Sequence, residues 1–307
     1  MNIMRKFIVM VVVLGLTVGS GLAWAKDGMY LGMDLGVAVA PDMDVQTGGL
    51  DDWDDQAGNT RVECDWTIYP PPDRPRDCDD SPGQWGPMQE AFDGGVGILA
   101  GVSLGYRFMD NFRVEGEYFY RGTSHDSTAV PRSATYDPSM EPEFDFVEDA
   151  VDSVFSHNFF ANLYYDFRSD SKFTPYVGIG VGLANVSVEY RTLWHRTNDI
   201  TEIPAFDGRD DLKQRLAGSL TTDRATLSDT LFGYQALAGV DYQVSEPVSI
   251  GLKFRWADFS EFEDESAYDR LRSHASVAGN PPVPVTYYIK TDDIQFWGVS
   301  LNMKYQF

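Results

Sequence analysis

The sequence predicts an all-β fold, a single eight-stranded antiparallel up-and-down barrel that crosses a membrane with its strands. Three observations predict it. Eight runs alternate apolar side chains with small or polar ones, the connections between them are in turn very long and very short, and after the first two dozen residues no continuous apolar stretch could form a helical span. The chain still carries 19 Phe, 16 Tyr, 7 Trp and 28 Gly among 307 residues. That much apolar surface, unavailable to spanning helices, fits strands with one oily face.

Residues 1–25 read as a secretory signal peptide. Arg5 and Lys6 give a positive start, Phe7 to Val18 an apolar stretch, and Ala23-Trp24-Ala25 an A-x-A cleavage site. The stretch is roughly a dozen residues, short of the ~20 that a spanning helix needs. The barrel is therefore expected over residues 26–307.

In the first run Met29, Leu31, Met33, Leu35, Val37 and Val39 share one face, and Tyr30, Gly32, Asp34, Gly36 and Ala38 share the other. A period of two is a strand, not a helix. The second run sets Val96, Ile98, Ala100, Val102, Leu104, Tyr106 and Phe108 against Gly97, Leu99, Gly101, Ser103, Gly105 and Arg107, and a turn follows at Met109-Asp110-Asn111. The third returns with Phe112, Val114, Gly116, Tyr118 and Tyr120 outward against Arg113, Glu115, Glu117, Phe119 and Arg121.

The fourth run places Val151, Ser153, Phe155, His157, Phe159, Ala161, Leu163, Tyr165 and Phe167 outward, opposite Asp152, Ser156, Asn158, Asn162, Tyr164, Asp166 and Arg168. After a turn at Ser169 to Lys172, the fifth alternates Phe173, Pro175, Val177, Ile179, Val181 and Leu183 with Thr174, Tyr176, Gly178, Gly180, Gly182 and Ala184. Beyond Asn185 the apolar parity passes to Val186 and Val188, which predicts a β-bulge. The sixth sets Phe232, Tyr234, Ala236, Ala238, Val240, Tyr242 and Val244 against Leu231, Gly233, Gln235, Gly239, Asp241 and Gln243, and Ser245-Glu246-Pro247 turns the chain. The seventh sets Val248, Ile250, Leu252, Phe254 and Trp256 against Ser249, Gly251, Lys253 and Arg255. In the eighth, Trp297, Val299, Leu301, Met303, Tyr305 and Phe307 oppose Gly298, Ser300, Asn302, Lys304 and Gln306.

The long connections span about 41–92, 123–150, 191–228 and 261–291. Outer-membrane barrels have this asymmetry, with short periplasmic turns and long extracellular loops, so the cell outer membrane is the expected location. The continuous apolar face belongs against lipid, and the glycine-rich, charged face belongs in a narrow interior. There Arg107, Arg113, Arg121, Lys253, Arg255 and Lys304 are expected to pair with Glu115, Glu117, Asp166 and Asp241, because an isolated interior charge is very costly. Aromatic residues gather at the run ends: Phe108, Phe112, Phe167, Phe173, Tyr242, Tyr305 and Phe307 towards the turns, and Tyr118, Tyr120, Phe155, Trp256 and Phe259 towards the loops. Both groups are expected at the lipid interfaces.

A formal charge of -23 disfavours nucleic acid and leaves divalent cations or basic partners as the favoured company. Cys64 and Cys78, both in the first long loop, are expected to form a disulfide in an oxidising compartment, closing a ring of about 15 residues worth roughly 3 kcal/mol. Asp51, Asp52, Asp54 and Asp55 around Trp53, with Asp77, Asp79 and Asp80, offer oxygen ligands without the spacing of a twelve-residue calcium loop, so no metal site is assigned and only weak divalent bridging is considered. Trp53, Trp66, Tyr69 and Trp85 on the same loop are candidates for recognition.

The motifs Asn162-Leu163-Tyr164-Tyr165-Asp166-Phe167, Thr174-Pro175-Tyr176-Val177-Gly178-Ile179-Gly180-Val181-Gly182 and the terminal Tyr305-Gln306-Phe307 resemble the small outer-membrane barrels grouped around the OmpA transmembrane domain and the opacity or surface-antigen proteins. The resemblance covers the strands and leaves the loops unmatched. It implies an eight-stranded outer-membrane barrel surrounded by lipid and lipopolysaccharide, with Tyr305 and Phe307 as the signal read by the outer-membrane assembly machinery. The OmpW type is similar in length and topology, but its hydrophobic lumen fits the charged interior face less well.

The functional expectation is a non-enzymatic surface barrel without a cofactor, structural or adhesive, whose loops contact a host or cell-surface ligand. The alternatives are a narrow small-solute channel and a lipid A-modifying enzyme. For the enzyme, His125-Asp126-Ser127 resembles a triad only in composition, since adjacency usually prevents the geometry a triad needs. His157 has the outward parity that such an enzyme needs, but no matching outward serine and glutamate accompany it. His195 and His274 complete the histidines.

Overall fold

The computed structural model describes residues 28–50, 88–125, 144–203, 208–264, 267–269 and 285–307. The strands are β1 (Met29–Val39), β2 (Met43–Leu50), β3 (Met88–Phe92), β4 (Val96–Phe108), β5 (Phe112–Ser124), β6 (Phe144–Asp166), β7 (Phe173–Arg196), β8 (Leu220–Gln243), β9 (Val248–Phe259), β10 (Phe262–Asp264), β11 (Ala267–Asp269), β12 (Val285–Thr291) and β13 (Gln295–Gln306). Eight of them close into a barrel in the order β1-β13-β9-β8-β7-β6-β5-β4, all antiparallel, with β1 joining β13 and β4.

The ladder fixes the shear. Stepping across the strands from Arg107 leads through Arg113, Tyr164, Gly178, Leu237, Arg255, Gly298 and Ala38 back to β4 at Gly97, ten residues from the start. A closed sheet displaced in this way must tilt its strands, typically by 35–45°. On β7 the outward apolar residues run from Phe173 to Leu183, and these eleven positions at ~3.3 Å each, so tilted, rise about 25–30 Å. That matches the apolar band of an outer-membrane barrel, ~25 Å tall. Leu35, Ile179 and Leu301, at 69%, 66% and 71% exposure, lie on this band, where only lipid can cover them.

The strands continue far past the band, and here several expectations give way. β7 is 24 residues long, and its hairpin with β8 pairs up to His195 and Leu220. The connection expected over 191–228 is therefore strand at both ends, and β6 begins at Phe144, inside the expected 123–150 connection. Within 41–92 and 261–291 lie the strands of a second sheet, ordered β10-β12-β2-β3 with β11 against β12.

The bulge expected beyond Asn185 is absent. β7 keeps an unbroken register on β8 through that point, and Ala184, Val186, Val188 and Tyr190 all face inward and are buried. What changes is the medium. Below Asn185 the outside is lipid and the inside polar, and above it the outside is water and the inside apolar, so the polarity exchanges faces while the backbone does not. A register shift falls instead on β6 between Val151 and Ser153, which turns Val151 inward to full burial rather than towards lipid. The extra residue, Asp152, sits with Arg191 Nε at 3.5 Å and Arg224 Nη2 at 2.7 Å.

The first periplasmic turn carries local strain. Met109 (φ 50°) and Asp110 (φ 55°) both occupy the left-handed region, which an unbranched apolar side chain adopts at a cost. Met109 is 79% exposed and has no packing to lose. Met109→Asn is expected to stabilise the barrel by about 0.5–1 kcal/mol, read as a higher urea midpoint in lipid vesicles. An unchanged midpoint would show that the turn relaxes its strain.

Candidate functional site

Two regions were candidates from the sequence, the charged interior and the extracellular loops. Glycines and tyrosines make the interior possible. A Cβ at Gly105 would overlap the Tyr30 ring, and one at Gly178 would lie 2.5 Å from Tyr164 Cδ1. The bare backbone at these positions lets the rings lie flat across a lumen that is otherwise too narrow for them.

At the periplasmic end Lys304 Nζ donates to both oxygens of Asp241 at 2.7 Å, and Arg113 Nε donates to Asp166 at 2.9 Å. The Arg113 guanidinium lies between the Tyr164 and Tyr176 rings, 4.6 and 4.8 Å from their centroids. Arg107, 22% exposed, reaches Gln306 at 3.2 Å and stands 3.8 Å from Asp166.

The next layer centres on Glu117, which accepts from Lys253 Nζ at 3.2 Å, from Arg255 Nη2, and from Asn162 Nδ2 at 2.9 Å. Lys253 also donates to Asp34 at 2.9 Å, while Glu115 accepts from the Tyr30 and Tyr164 hydroxyls at 2.8 and 3.0 Å. Asp34, Tyr30, Tyr164, Tyr176, Asn162 and Gln235 thus belong to the network although they were not selected from the sequence. Their interior parity was the available signal.

Arg121 is different. It is buried, but no carboxylate pairs with it among the described residues, contrary to the expected pairing, and its guanidinium lies 4.8 Å from the centroid of Phe296. It marks the change from ionic to apolar interior. Arg255 stacks on Phe119 at 3.8 Å, and Phe119, Phe160, Phe259 and Phe296 pack ring against ring across the lumen. Phe259, expected at the lipid interface, is one of these buried rings because its parity on β9 is that of Ala257 and Arg255. Above them Met43, Val45, Phe92, Val154, Leu227, Phe262 and Ile289 continue the same apolar core under the second sheet.

Outside, aromatic residues ring the upper edge of the band. Trp256 lies between Tyr234 and Trp297, and His157 Nδ1 shares a 2.8 Å hydrogen bond with the Tyr118 hydroxyl while packing on Tyr120. Near the water, carboxylates satisfy backbone N–H groups: Asp42 accepts from Gly94, Asp264 from Ser228, Asp293 from Asp44, and Asp199 from Thr201. The two hydrogen bonds from Thr201 hold the Asp199 carboxyl below the ordinary aspartate range.

His125 Nδ1 lies 3.1 Å from the Asp93 carbonyl oxygen, and His195 Nδ1 lies 3.7 Å from Asp145. Tyr305 lies on the lipid face of β13 and packs edge-on against the terminal Phe307. The segment 1–25 read as a signal peptide, with Cys64, Cys78, Trp53, Trp66, Tyr69, Trp85, Asp51, Asp52, Asp54, Asp55, Asp77, Asp79, Asp80, Asp126, Ser127 and His274, lies outside the described residues.

A closed antiparallel sheet with an apolar band and aromatic girdle outside and ion pairs within is a transmembrane β-barrel. Residues 8–307 match the family model for the outer membrane protein beta-barrel domain; the chain belongs to that family and is an outer-membrane protein. It is similar to outer membrane protein PagN of Salmonella typhimurium, 32% identical over 97 residues that cover 30% of this chain and 38% of PagN. An uncharacterized protein of Brucella suis biovar 1 is 26% identical over 164 residues, 52% of this chain and 51% of that protein. The chain therefore spans between about two fifths and half the length of these curated relatives. Among solved structures, OprG from Pseudomonas aeruginosa aligns over 93% of this chain and 99% of its own at 12% identity and a TM-score of 0.46. Neisserial surface protein A aligns over 91% and 97% at 14% identity and a TM-score of 0.39.

Proposed function

We propose that this barrel is a non-enzymatic surface protein that acts through its extracellular strand extensions and loops, which contact a ligand on a host or neighbouring cell. The observation that carries this reading is the filled interior. A solute travelling along the axis meets the Glu117 ion-pair layer and then the Phe119, Phe160, Phe259 and Phe296 rings, each of these side chains being buried. Opening that path requires breaking buried ion pairs and a packed aromatic core together. The extracellular side, by contrast, is large and built on paired strands, as a recognition platform requires. Lipid and lipopolysaccharide surround the band, and the assembly machinery recognises the last strand through Tyr305 and Phe307.

Two measurements test the proposal. The purified chain in a planar bilayer is expected to give no stable conductance steps, and a steady, voltage-independent conductance would favour the channel reading instead. Cells displaying a variant with residues 197–219 replaced by Asn-Gly, which shortens the β7–β8 hairpin tip without touching the band, are expected to keep the barrel and lose adhesion to host or neighbouring cells. Adhesion unchanged by this and by equivalent shortening of the other three loops would refute recognition through the loops.

A further inference from the structure

We infer that Arg121 marks a binding site for a small monovalent anion in the neck of the barrel, where the ionic interior meets the apolar core. Among the described interior residues from Arg121 down to the periplasmic end, leaving out Arg196 and Lys213 on the extensions above, there are six cations, Arg107, Arg113, Arg121, Lys253, Arg255 and Lys304, and five carboxylates, Asp34, Glu115, Glu117, Asp166 and Asp241. Every cation but one has a carboxylate within 4 Å: Arg107 and Arg113 have Asp166, Lys304 has Asp241, Lys253 has Asp34 and Glu117, and Arg255 has Glu117. The surplus positive charge is therefore localised on Arg121.

Its described surroundings do not supply the balance. Arg121 is 1% exposed, its ladder partners are Leu99 and Ser156, and Phe296 covers its guanidinium. Its Nε is buried without a hydrogen-bond acceptor, and one layer below Arg255 Nη1 is a second buried donor without one. Water could accept both hydrogen bonds. It could not cancel the charge, and an uncompensated ion away from bulk water is far costlier than an unpaired dipole.

A bound anion at Arg121 answers the charge and the open Nε donor together. Ser156 adds a third donor, because its Oγ already accepts from Asn158 Nδ2 at 2.9 Å and its hydroxyl proton is free to turn elsewhere. One negative charge makes the count even, which a halide supplies and a doubly charged phosphate exceeds. Such an anion would tie the upper, water-exposed half of the barrel to the membrane half at their junction.

The test uses the full mature chain refolded in detergent, titrated with sodium chloride against sodium gluconate at constant ionic strength. Thermal unfolding of the wild type is expected to shift upward with chloride and saturate. With a Kd of about 10 mM, 200 mM chloride would change the folding equilibrium about 20-fold. Arg121→Met should lose this chloride-specific shift, and Arg121→Lys should keep part of it. An equal response in wild type and Arg121→Met, or none in the wild type, would overturn the site. If Arg121→Met does not fold, chloride-35 NMR line widths decide. Broadening by the wild type that bromide reverses supports the site, and its absence overturns it.

Discussion

Glu117→Ala is expected to destabilise the folded barrel by about 3–5 kcal/mol, measured as the shift in urea unfolding in lipid vesicles, because it strands the buried Arg255 and takes one carboxylate from Lys253. Lys253 and Arg255 are 2% and 3% exposed, and among the described residues Arg255 has no other carboxylate within 4 Å, whereas Lys253 keeps Asp34. Asn162 and Gln235 also lose an acceptor, at 2.9 and 3.3 Å. The loss should therefore be recoverable in a defined way. Adding Arg255→Met removes the orphaned charge, and because a buried pair can often be exchanged for apolar groups at little net cost, the double variant should regain more than half of the stability. Glu117→Gln, which retains acceptors but no charge, should fall between. A cost below about 1 kcal/mol for Glu117→Ala would mean that water reaches this layer and screens it, which would also weaken the case for a closed lumen.

The membrane band was legible because lipid imposes a rule on every second residue: Met29 to Val39 and Phe173 to Leu183 could face nothing else. The charged residues Arg113, Glu115 and Glu117 stood out on the opposite parity for the same reason. Parity, however, assigns a face and not a height. Arg121 shares the face of Glu117 but sits four residues further up β5, beyond the carboxylates, and a shear of ten makes the level reached by each neighbouring strand hard to judge from a list of positions. The extensions above the band were illegible for a further reason. In water the apolar residues turn inward, so Val186, Val188 and Phe259 reverse the rule that identified the strands below them, and the reversal imitates a bulge. The true irregularity at Asp152 leaves no mark in the composition of β6, since a bulge adds one residue without needing a special one. Parity placed Tyr30, Tyr164 and Tyr176 on the interior face but not in the network, because their partners, a glycine across the ladder with Glu115 for Tyr30 and Tyr164 and Asn302 for Tyr176, become neighbours only when the sheet closes.

The exchange of media on β7 has its own signature in stability. Ile179→Lys places a charge on the lipid face near the middle of the band and should cost about 2–4 kcal/mol, the range for a cation at the midplane. The same substitution at Ser187, eight residues further along the same outer face, meets water and should change stability by no more than about 0.5 kcal/mol. At Val188, one residue beyond and 2% exposed in the apolar core, it should again cost about 3–5 kcal/mol, since the described residues of that core include no carboxylate to receive it. Three lysines along one strand would thus read high, low, high, and urea midpoints in vesicles of one lipid composition suffice to measure them. If Ser187→Lys were as damaging as Ile179→Lys, the bilayer would have to reach higher than the aromatic ring of Tyr234, Trp256 and Trp297. If Val188→Lys were harmless, the upper barrel would be wet, and a path through the protein would become the better explanation of its interior.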